Sequence, residues 1–339
     1  MLPLFAAALL GQAAVAQGTL QEPGSLLVFH EFDNRSAVAN LITVTNTADG
    51  AASTDTINVE YVYRARVNNN YALVNCLETN RTRTLTPNDT LSVLTANDNP
   101  NYQAGYLYVF AKSRTTGKAV KFDHLIGNNL VIDGLGVFDY SVNPVVFKAG
   151  AELAQGDQTD LDADNIRDLD GDEYAQAPAE ILIPRFVGQD GYAAPAPAVG
   201  PVAGYGSDLV LINLTGGAAF TAIVDFLVYN DNEEVFSTQH QFKCWDRAPL
   251  LSISGIFANE FLLTTNHNPN EIPGANYVKT GWIRLNGNTA FSTNTQLDDP
   301  AFLAVLIEKV GSYKAADLPF GQGEQNNGDL LPLSILGDQ

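Results

Sequence analysis

Short runs that alternate hydrophobic and polar residues recur along most of the chain. The run INVEYVYRAR places Val59, Tyr61 and Tyr63 on one face of an extended segment, as in a half-buried strand. The apolar runs at 106–112 and 119–126 are separated by a Thr-Thr-Gly turn, which predicts a hairpin. Long patterns with a helical period are almost absent, so the sequence predicts an all-β protein made of sandwiches or barrels.

The second half of the chain repeats the first half in the same order. Residues 94–101, LTANDNPN, match residues 263–270, LTTNHNPN, at six of eight positions. Cys76 and Cys244 lie upstream of these motifs, and weaker matches before and after them keep the order. Such self-similarity predicts two homologous units. The predicted fold is therefore a tandem pair of internally duplicated β-sandwich domains, immunoglobulin-like or jelly-roll-like, joined by an acidic connector.

The chain begins with a short apolar run that ends in Ala-Val-Ala, which predicts a cleaved signal peptide and export. That run is too short to cross a bilayer, and no later stretch has 18 consecutive apolar residues, so no transmembrane segment is predicted. The protein is expected to be secreted or held at the cell surface. The predicted divisions are a signal peptide at 1–16, an extension at 17–23, a first sandwich at 24–150, the connector at 151–178 and a second sandwich at 179–339.

The formal net charge is −20, from 38 acidic and 18 basic residues. This balance disfavours a nucleic-acid partner, because binding a phosphate backbone needs a basic face. It disfavours adhesion to an anionic membrane for the same reason. The hydrophobic content of 45% is enough for sizeable cores and argues against general disorder.

Nearly half of the net charge is concentrated in the connector, where residues 151–180 hold ten Asp or Glu and one Arg. Asp160, Asp162 and Asp164 stand at positions 1, 3 and 5 of an EF-hand-like loop, and Asp168 stands at position 9. Position 6 is Asn instead of Gly, and position 12 is Gly instead of a carboxylate. The strict EF-hand pattern therefore fails at its last ligand.

The aspartate spacing resembles the calcium-binding repeats of thrombospondin type 3 and dockerin modules. The resemblance implies a bound calcium ion whose ligands are Asp160, Asp162, Asp164 and Asp168. Asp170 and Asp172 are further candidate ligands. Electrostatics supports a cation independently, because carboxylates so close together repel each other and a hard divalent ion removes that repulsion. The alternative is a solvated, flexible acidic linker without metal.

The two cysteines, Cys76 and Cys244, occupy equivalent positions in the two repeats. Export permits a disulfide between them, provided that the two units pack about a pseudo-twofold axis near these positions. Two buried thiols, or cross-links between chains, are the alternatives that the sequence leaves open.

The chain lacks the sequence motifs HExxH, GxSxG and GxxxxGK[ST]. We therefore expect a non-enzymatic, exported structural or surface protein that associates with itself or with other surface proteins. Strand edges offer a route to a filament or layer. The alternative is a calcium-dependent carbohydrate-binding or adhesion protein, whose aromatic contacts with a glycan would come from Tyr102, Tyr205, Trp245 and Trp282. A secreted polymer hydrolase is a third candidate, supported by export alone.

Overall fold

The computed structural model shows a chain built almost entirely of antiparallel sheets. Strands account for 59% of the structure and helices for 8%, and none of the sheets closes into a barrel, which confirms the predicted all-β class. The predicted signal peptide lies outside the described residues. The described residues are 21–35, 38–66, 76–99, 104–134, 138–189, 205–215, 220–230, 232–265, 279–310 and 313–330.

The first half contains two sheets that pack face to face. Its inner sheet consists of β1 (Leu26–Asp33), β3 (Ile57–Arg66), β4 (Cys76–Leu85), β6 (Ala104–Lys112) and β9 (Val145–Phe147). Its outer sheet consists of β2 (Val38–Asn46), β5 (Thr90–Leu94), β7 (Leu125–Asp133) and β8 (Phe138–Val142), and the short helix α1 (Thr95–Asp98) follows β5. Leu27, Phe29, Ile42 and Val44 belong to the core between the two sheets.

The second half has the same two-layer construction. Its inner sheet consists of β12 (Gly206–Asn213), β15 (Trp245–Pro249), β18 (Phe302–Val310) and β19 (Tyr313–Asp317). Its outer sheet consists of β11 (Glu180–Val187), β13 (Thr221–Asn230), β14 (Val235–Phe242), β16 (Thr280–Phe291), β17 (Gln296–Asp298) and β20 (Phe320–Gln322). Two short helices, α2 (Leu250–Ile253) and α3 (Asn259–Thr265), lie between β15 and β16.

The two halves share one strand order. The order β4-β3-β6-β1-β9 in the first half corresponds to β14-β13-β16-β11-β20 in the second, and β5-β2-β7-β8 corresponds to β15-β12-β18-β19. Strand β17 has no counterpart in the described part of the first half. A common strand order is what a duplicated unit predicts, whereas descent of both halves from one ancestor stays a prediction.

A bulge recurs at the same place in both halves. The pairing of β1 with β6 shifts just before Phe32, which lies opposite Gly105, and the pairing of β11 with β16 shifts just before Phe186, which lies opposite Gly281. A Cβ atom would lie 1.9 Å from the Arg64 carbonyl oxygen at the first glycine, and a similar backbone clash occurs at the second. Both positions therefore require glycine because the neighbouring strand approaches too closely for a side chain.

The two inner sheets pack against each other and form a third core, termed the joint. Leu26 and Val28 of β1 belong to this core together with Val210 and Ile212 of β12. Because side chains alternate along a strand, β1 and β12 each fill the core of their own half with one set of residues and the joint with the other. The four sheets therefore form one stack, in which β8 at the edge of the first half's outer sheet also contacts β19 of the second half. The exact domain boundaries stay predictions.

The acidic segment between the halves packs onto this stack and is not a solvated linker. Leu169, Tyr174 and Ala177 are buried in the joint core. Strand β10 (Asp168–Leu169) pairs with β21 (Gly328–Asp329), so the segment is also tied to the end of the described chain. Leu169 lies between Asp168 and Asp170, and Tyr174 follows Glu173, so the burial of these apolar side chains fixes the acidic segment in place.

The predicted hairpin of residues 106–112 with 119–126 is wrong beyond a single bridge between Lys112 and Ala119. Val120 and Phe122 enter the core of the first half. They carry the chain across to the outer sheet, where β7 pairs with β2 instead of β6.

Candidate metal centre

The acidic segment brings five carboxylates together in two overlapping groups. One group contains Asp160, Asp162 and Glu173, and the other contains Asp162, Asp164 and Asp168. In each group, one carboxylate oxygen per residue lies within 4.8 Å of the others. Asp162 belongs to both groups, so the cluster is continuous and could hold a metal ion.

The local backbone folds around these aspartates through hydrogen bonds from its own amides. The Asp162 carboxylate accepts from the Asp164 amide at 3.2 Å, and the Asp164 carboxylate accepts from the Ile166 amide at 2.7 Å. Ala163 and Asn165 have positive φ angles of 65° and 66°. Asparagine tolerates this conformation better than most residues, which explains how Asn165 replaces the usual glycine in the loop.

Glu173 is the acidic residue of the cluster that the EF-hand spacing did not predict. It lies two positions beyond the expected last ligand and is only 3% exposed. Its carboxylate accepts hydrogen bonds from the backbone amides of Leu161 and Asp168, which point it back across the loop. A fixed twelve-residue spacing overlooks Glu173 because Gly171 and Asp172 lengthen the turn before it.

Asp160 contributes a carboxylate oxygen that no protein group satisfies. Its side chain is buried, and one oxygen lies 3.6 Å from the Arg167 guanidinium. The other oxygen, Oδ1, is buried without a hydrogen-bond partner. Leaving a buried charged acceptor unsatisfied costs free energy, and a cation bound to the cluster would remove that cost.

The pKa values of the cluster reflect the same crowding. Burial raises the pKa of Asp168 to about 6, and the negative charges of Asp164, Asp170 and Asp162 raise it further. Burial also raises the pKa of Glu173 to about 7, against the effect of the two amides that stabilise its charge. Without a metal ion, Asp168 and Glu173 therefore keep their protons to a higher pH than free carboxyl groups do, as expected of carboxylates that lack a counter-charge.

The other two predicted ligands lie outside both groups. Asp170 accepts from the backbone amides of Asp172 and Glu173 at 2.9 and 3.0 Å, so it closes the turn that positions Glu173. The Asp172 side chain is exposed. The donor set is made of oxygens alone, which fits a hard divalent cation such as calcium or magnesium rather than zinc.

A disulfide lies in the joint on which this segment packs. Cys76, at the start of β4, is bonded to Cys244, just before β15, with a Cα–Cα distance of 6.0 Å. Both residues are buried in the joint core. The bond connects the two halves, but not at equivalent positions: Cys76 begins β4, whereas Cys244 follows β14, the counterpart of β4.

A cleft of about 290 Å³ shares a wall with the metal cluster. Asp160, Asn165 and Arg167 form that wall, and Tyr108 and Phe110 of the inner sheet line the cleft as well. The Arg167 guanidinium lies over the Phe110 ring, 5.1 Å from its centroid. Polar and aromatic groups therefore meet beside the cation position.

The aromatic residues proposed as glycan contacts have different environments. Trp245 is buried in the joint and donates from Nε1 to the His30 carbonyl oxygen. Trp282 is half-buried on the outer sheet of the second half, where it stacks on Tyr229 with ring centroids 4.1 Å apart. Tyr205 is half-buried, and Tyr102 lies outside the described residues.

Comparison with known proteins gives no match, either to a protein-family model or to a curated protein. Within the described ranges, every helix is too short or too polar to cross a membrane.

We expect metal-free protein to lose stability through the cluster as the pH rises from about 4 to about 7. Glu173 and Asp168 have raised pKa values in the folded state. The folded state therefore binds more protons than the unfolded state in this window, and the free energy of unfolding falls as those protons dissociate. Urea unfolding of metal-stripped wild type and Glu173→Gln across this window isolates the Glu173 contribution. A difference that grows with pH in favour of the wild type would contradict the expected sign.

Proposed function

We propose that the protein is an exported structural or surface protein in which calcium holds the acidic segment against the joint between the two halves. The observation that carries this proposal is the buried, unpartnered Oδ1 of Asp160 within a cluster of carboxylates. A structural role agrees with the placement of the cluster, because it adjoins the surface through which the halves are held together.

Calcium suits the cluster better than other common cations. It accepts six to eight oxygen ligands in irregular arrangements, whereas magnesium demands a near-ideal octahedron. Asp162 shares one group of carboxylates with Asp160 and Glu173 and another with Asp164 and Asp168, so one loop and its return supply all of the oxygens. Extracellular calcium modules bind at about 10⁻⁴–10⁻³ M, so the affinity required of an exported protein is modest.

The cation would stabilise the joint through the residues that flank its ligands. Leu169 follows Asp168 and Tyr174 follows Glu173, and both apolar side chains are buried in the joint core. Neutralising the ligands removes the repulsion that opposes this packing. Export and assembly remain part of the proposal and are supported by the apolar N-terminal run and the stacked-sheet architecture.

Calcium should raise the free energy of unfolding by about 2.7 kcal/mol at a concentration about 100 times its Kd. The physical reason is that only the folded chain gathers the carboxylates into one site. We expect Glu173→Gln to abolish most of this gain, and Asp172→Asn to preserve it. Asp172 is the matched control, because its substitution removes the same charge from an exposed side chain of the same segment.

The measurement is urea unfolding with calcium, with magnesium and after chelation, together with calorimetric titration of calcium. An unchanged unfolding midpoint in wild type would contradict the calcium proposal. An equal loss in both variants would show a general charge effect instead of a site.

A second candidate function is calcium-dependent carbohydrate binding, which the cleft beside the metal cluster favours. Its wall contains Asp160, so cation binding would fix one side of the cleft, while the half-buried Phe110 beside Arg167 offers an aromatic contact for a sugar ring. A glycan array probed with calcium and again with chelator separates this function from a purely structural role.

A further inference from the structure

The two outermost faces of the four-sheet stack are the equivalents of the two faces that meet in the joint. The joint pairs the inner sheet of the first half, β4-β3-β6-β1-β9, with the inner sheet of the second half, β15-β12-β18-β19. By strand order, β4-β3-β6-β1-β9 corresponds to the outer sheet of the second half. In the same way, β15-β12-β18-β19 corresponds to the outer sheet of the first half. Each half therefore packs its inner sheet in the joint. The outer sheet of each half, which is equivalent to the inner sheet of the other half, has its outward face on the surface of the protein.

The outward face of β2, β5 and β7, termed the first end face, is uncharged and partly apolar. Its exposed or half-exposed side chains include Leu41, Thr43, Leu94, Ile126, Leu130 and Ile132. None of the outward-facing residues of these three strands is charged, in a chain whose net charge is −20. Copies that repel each other elsewhere can approach at this face without like-charge contact.

Hydrogen bonds between neighbouring strands make the first end face a fixed surface. The hydroxyl groups of Thr43 and Ser92 lie 2.8 Å apart, and so do those of Thr45 and Thr90. Pairing these side chains to each other leaves the leucine and isoleucine side chains as the groups that gain most from being covered.

The outward face of the second half's outer sheet, termed the second end face, is richer in aromatic and apolar groups than a solvated sheet face requires. Tyr229 and Trp282 stack there, and Leu227 and Val235 lie beside them and are exposed. Arg284 and Glu180 pair with each other on this face at 3.9 Å. That pair adds no net charge, and the one further carboxylate on β13, Asp225, accepts from Gln239 and Asn288 on the same face.

We propose that copies of this chain stack head to tail, with the first end face of one copy packed on the second end face of the next. This contact between two chains would repeat the sheet packing that the joint makes within one chain. A head-to-tail contact of this kind does not close on itself and generates an open filament. The inference rests on the proposed structural role, and it places the assembly contact on sheet faces instead of strand edges.

The size of the first end face predicts a weak individual contact. Three strands about 4.8 Å apart and seven residues at about 3.4 Å cover roughly 340 Å² in each copy. The total of roughly 700 Å² lies below the range of stable pairwise complexes. Assembly should therefore depend steeply on protein concentration, and it should strengthen with salt because salt screens the repulsion between acidic copies.

The test uses Leu41→Glu on the first end face and Leu227→Glu on the second, with Leu297→Glu as control. The three leucines are 36%, 37% and 37% exposed, so each substitution places the same charge on an equally accessible site. Leu297 pairs with Ala290, whose side chain points away from the second end face. Sedimentation velocity over a range of protein and salt concentrations measures the size distribution, and thermal unfolding confirms that each variant is folded.

Wild type and Leu297→Glu should form a series of oligomers, while Leu41→Glu and Leu227→Glu should each need at least a tenfold higher concentration to associate. An equimolar mixture of Leu41→Glu and Leu227→Glu should form a discrete dimer, because the intact second end face of one meets the intact first end face of the other. Monomeric wild type at every concentration, or a mixture that stays monomeric while wild type polymerises, would overturn the proposal. Calcium stabilisation measured on the Leu41→Glu monomer tests the proposed function separately.

Discussion

Removing the disulfide between Cys76 and Cys244 should lower the free energy of unfolding by about 5 kcal/mol in the chain-entropy estimate. The bond closes a loop with a sequence separation of 168 residues, and a crosslink over so long a loop strongly restricts the unfolded chain. It also ties β4 of the first half to the start of β15 in the second half. We expect the loss to appear as a lower urea midpoint in the double variant Cys76→Ala with Cys244→Ala.

The wild-type protein treated with reductant is the control for this prediction. It should fall to about the stability of the double variant, whereas the double variant should not respond to reductant. Equal urea midpoints for the oxidised wild type and the variant would show that packing of the joint alone holds the halves together. A thiol assay on the unfolded wild type measures the bond directly.

The sequence predicted the strands well where apolar and polar residues alternate. Val59, Tyr61 and Tyr63 were placed on one face by alternation, and all three are buried in the core of the first half. The hairpin prediction failed because a turn signal states where the chain bends and not which sheet the next strand joins. Val120 and Phe122 enter the core between the two sheets, so the chain crosses from the inner sheet to the outer sheet before β7 begins.

The joint was not predicted, although the sequence contains a signal for it. β1 reads LLVFHEFD, and all eight of its residues are buried. β12 reads GSDLVLIN and is buried throughout as well. Continuous apolar runs of this kind are typical of strands covered on both faces. They indicate that a second layer packs on each of these sheets.

The candidate metal centre was predicted in part. Its aspartates follow the spacing of an EF-hand-like loop, whereas Glu173 stands outside that spacing. Asp160, Asp162, Asp164 and Asp168 follow a known spacing, and the structure brings them together. Glu173 joins them through a turn whose length no fixed pattern encodes. Its position depends on the amides of Leu161 and Asp168, which only the folded loop brings within reach.

The substitution Arg247→Met should destabilise the protein by about 3–5 kcal/mol at neutral pH, because it leaves the buried Glu31 carboxylate without its cationic partner, whereas Asp208 keeps Lys309. Arg247 of β15 crosses the joint, donating to Glu31 of β1 at 2.7 Å and to Asp208 of β12 at 3.1 Å. Tyr140 also donates to Glu31. Burial already raises the pKa of Glu31, and Arg247 is the main group that opposes the rise.

The loss caused by Arg247→Met should depend on pH with a defined sign. Without Arg247, the pKa of Glu31 in the folded state rises further above its unfolded value. The variant is then least destabilised below the unfolded pKa of Glu31, and it loses stability as the pH rises toward the folded pKa. Urea unfolding of wild type and variant at several pH values measures this difference.

A double-mutant cycle with Glu31→Gln assigns the effect to the buried pair. Glu31→Gln removes the charge that Arg247→Met leaves unpaired, so the double variant should be more stable than Arg247→Met alone at neutral pH. Lys148→Met is the control, because Lys148 pairs with Glu22 on the surface and solvent-exposed pairs of this kind contribute little to stability. If Arg247→Met cost no more than Lys148→Met, the two halves would be held together by apolar packing and the disulfide, and the ion pairs of the joint would serve only to fix its register.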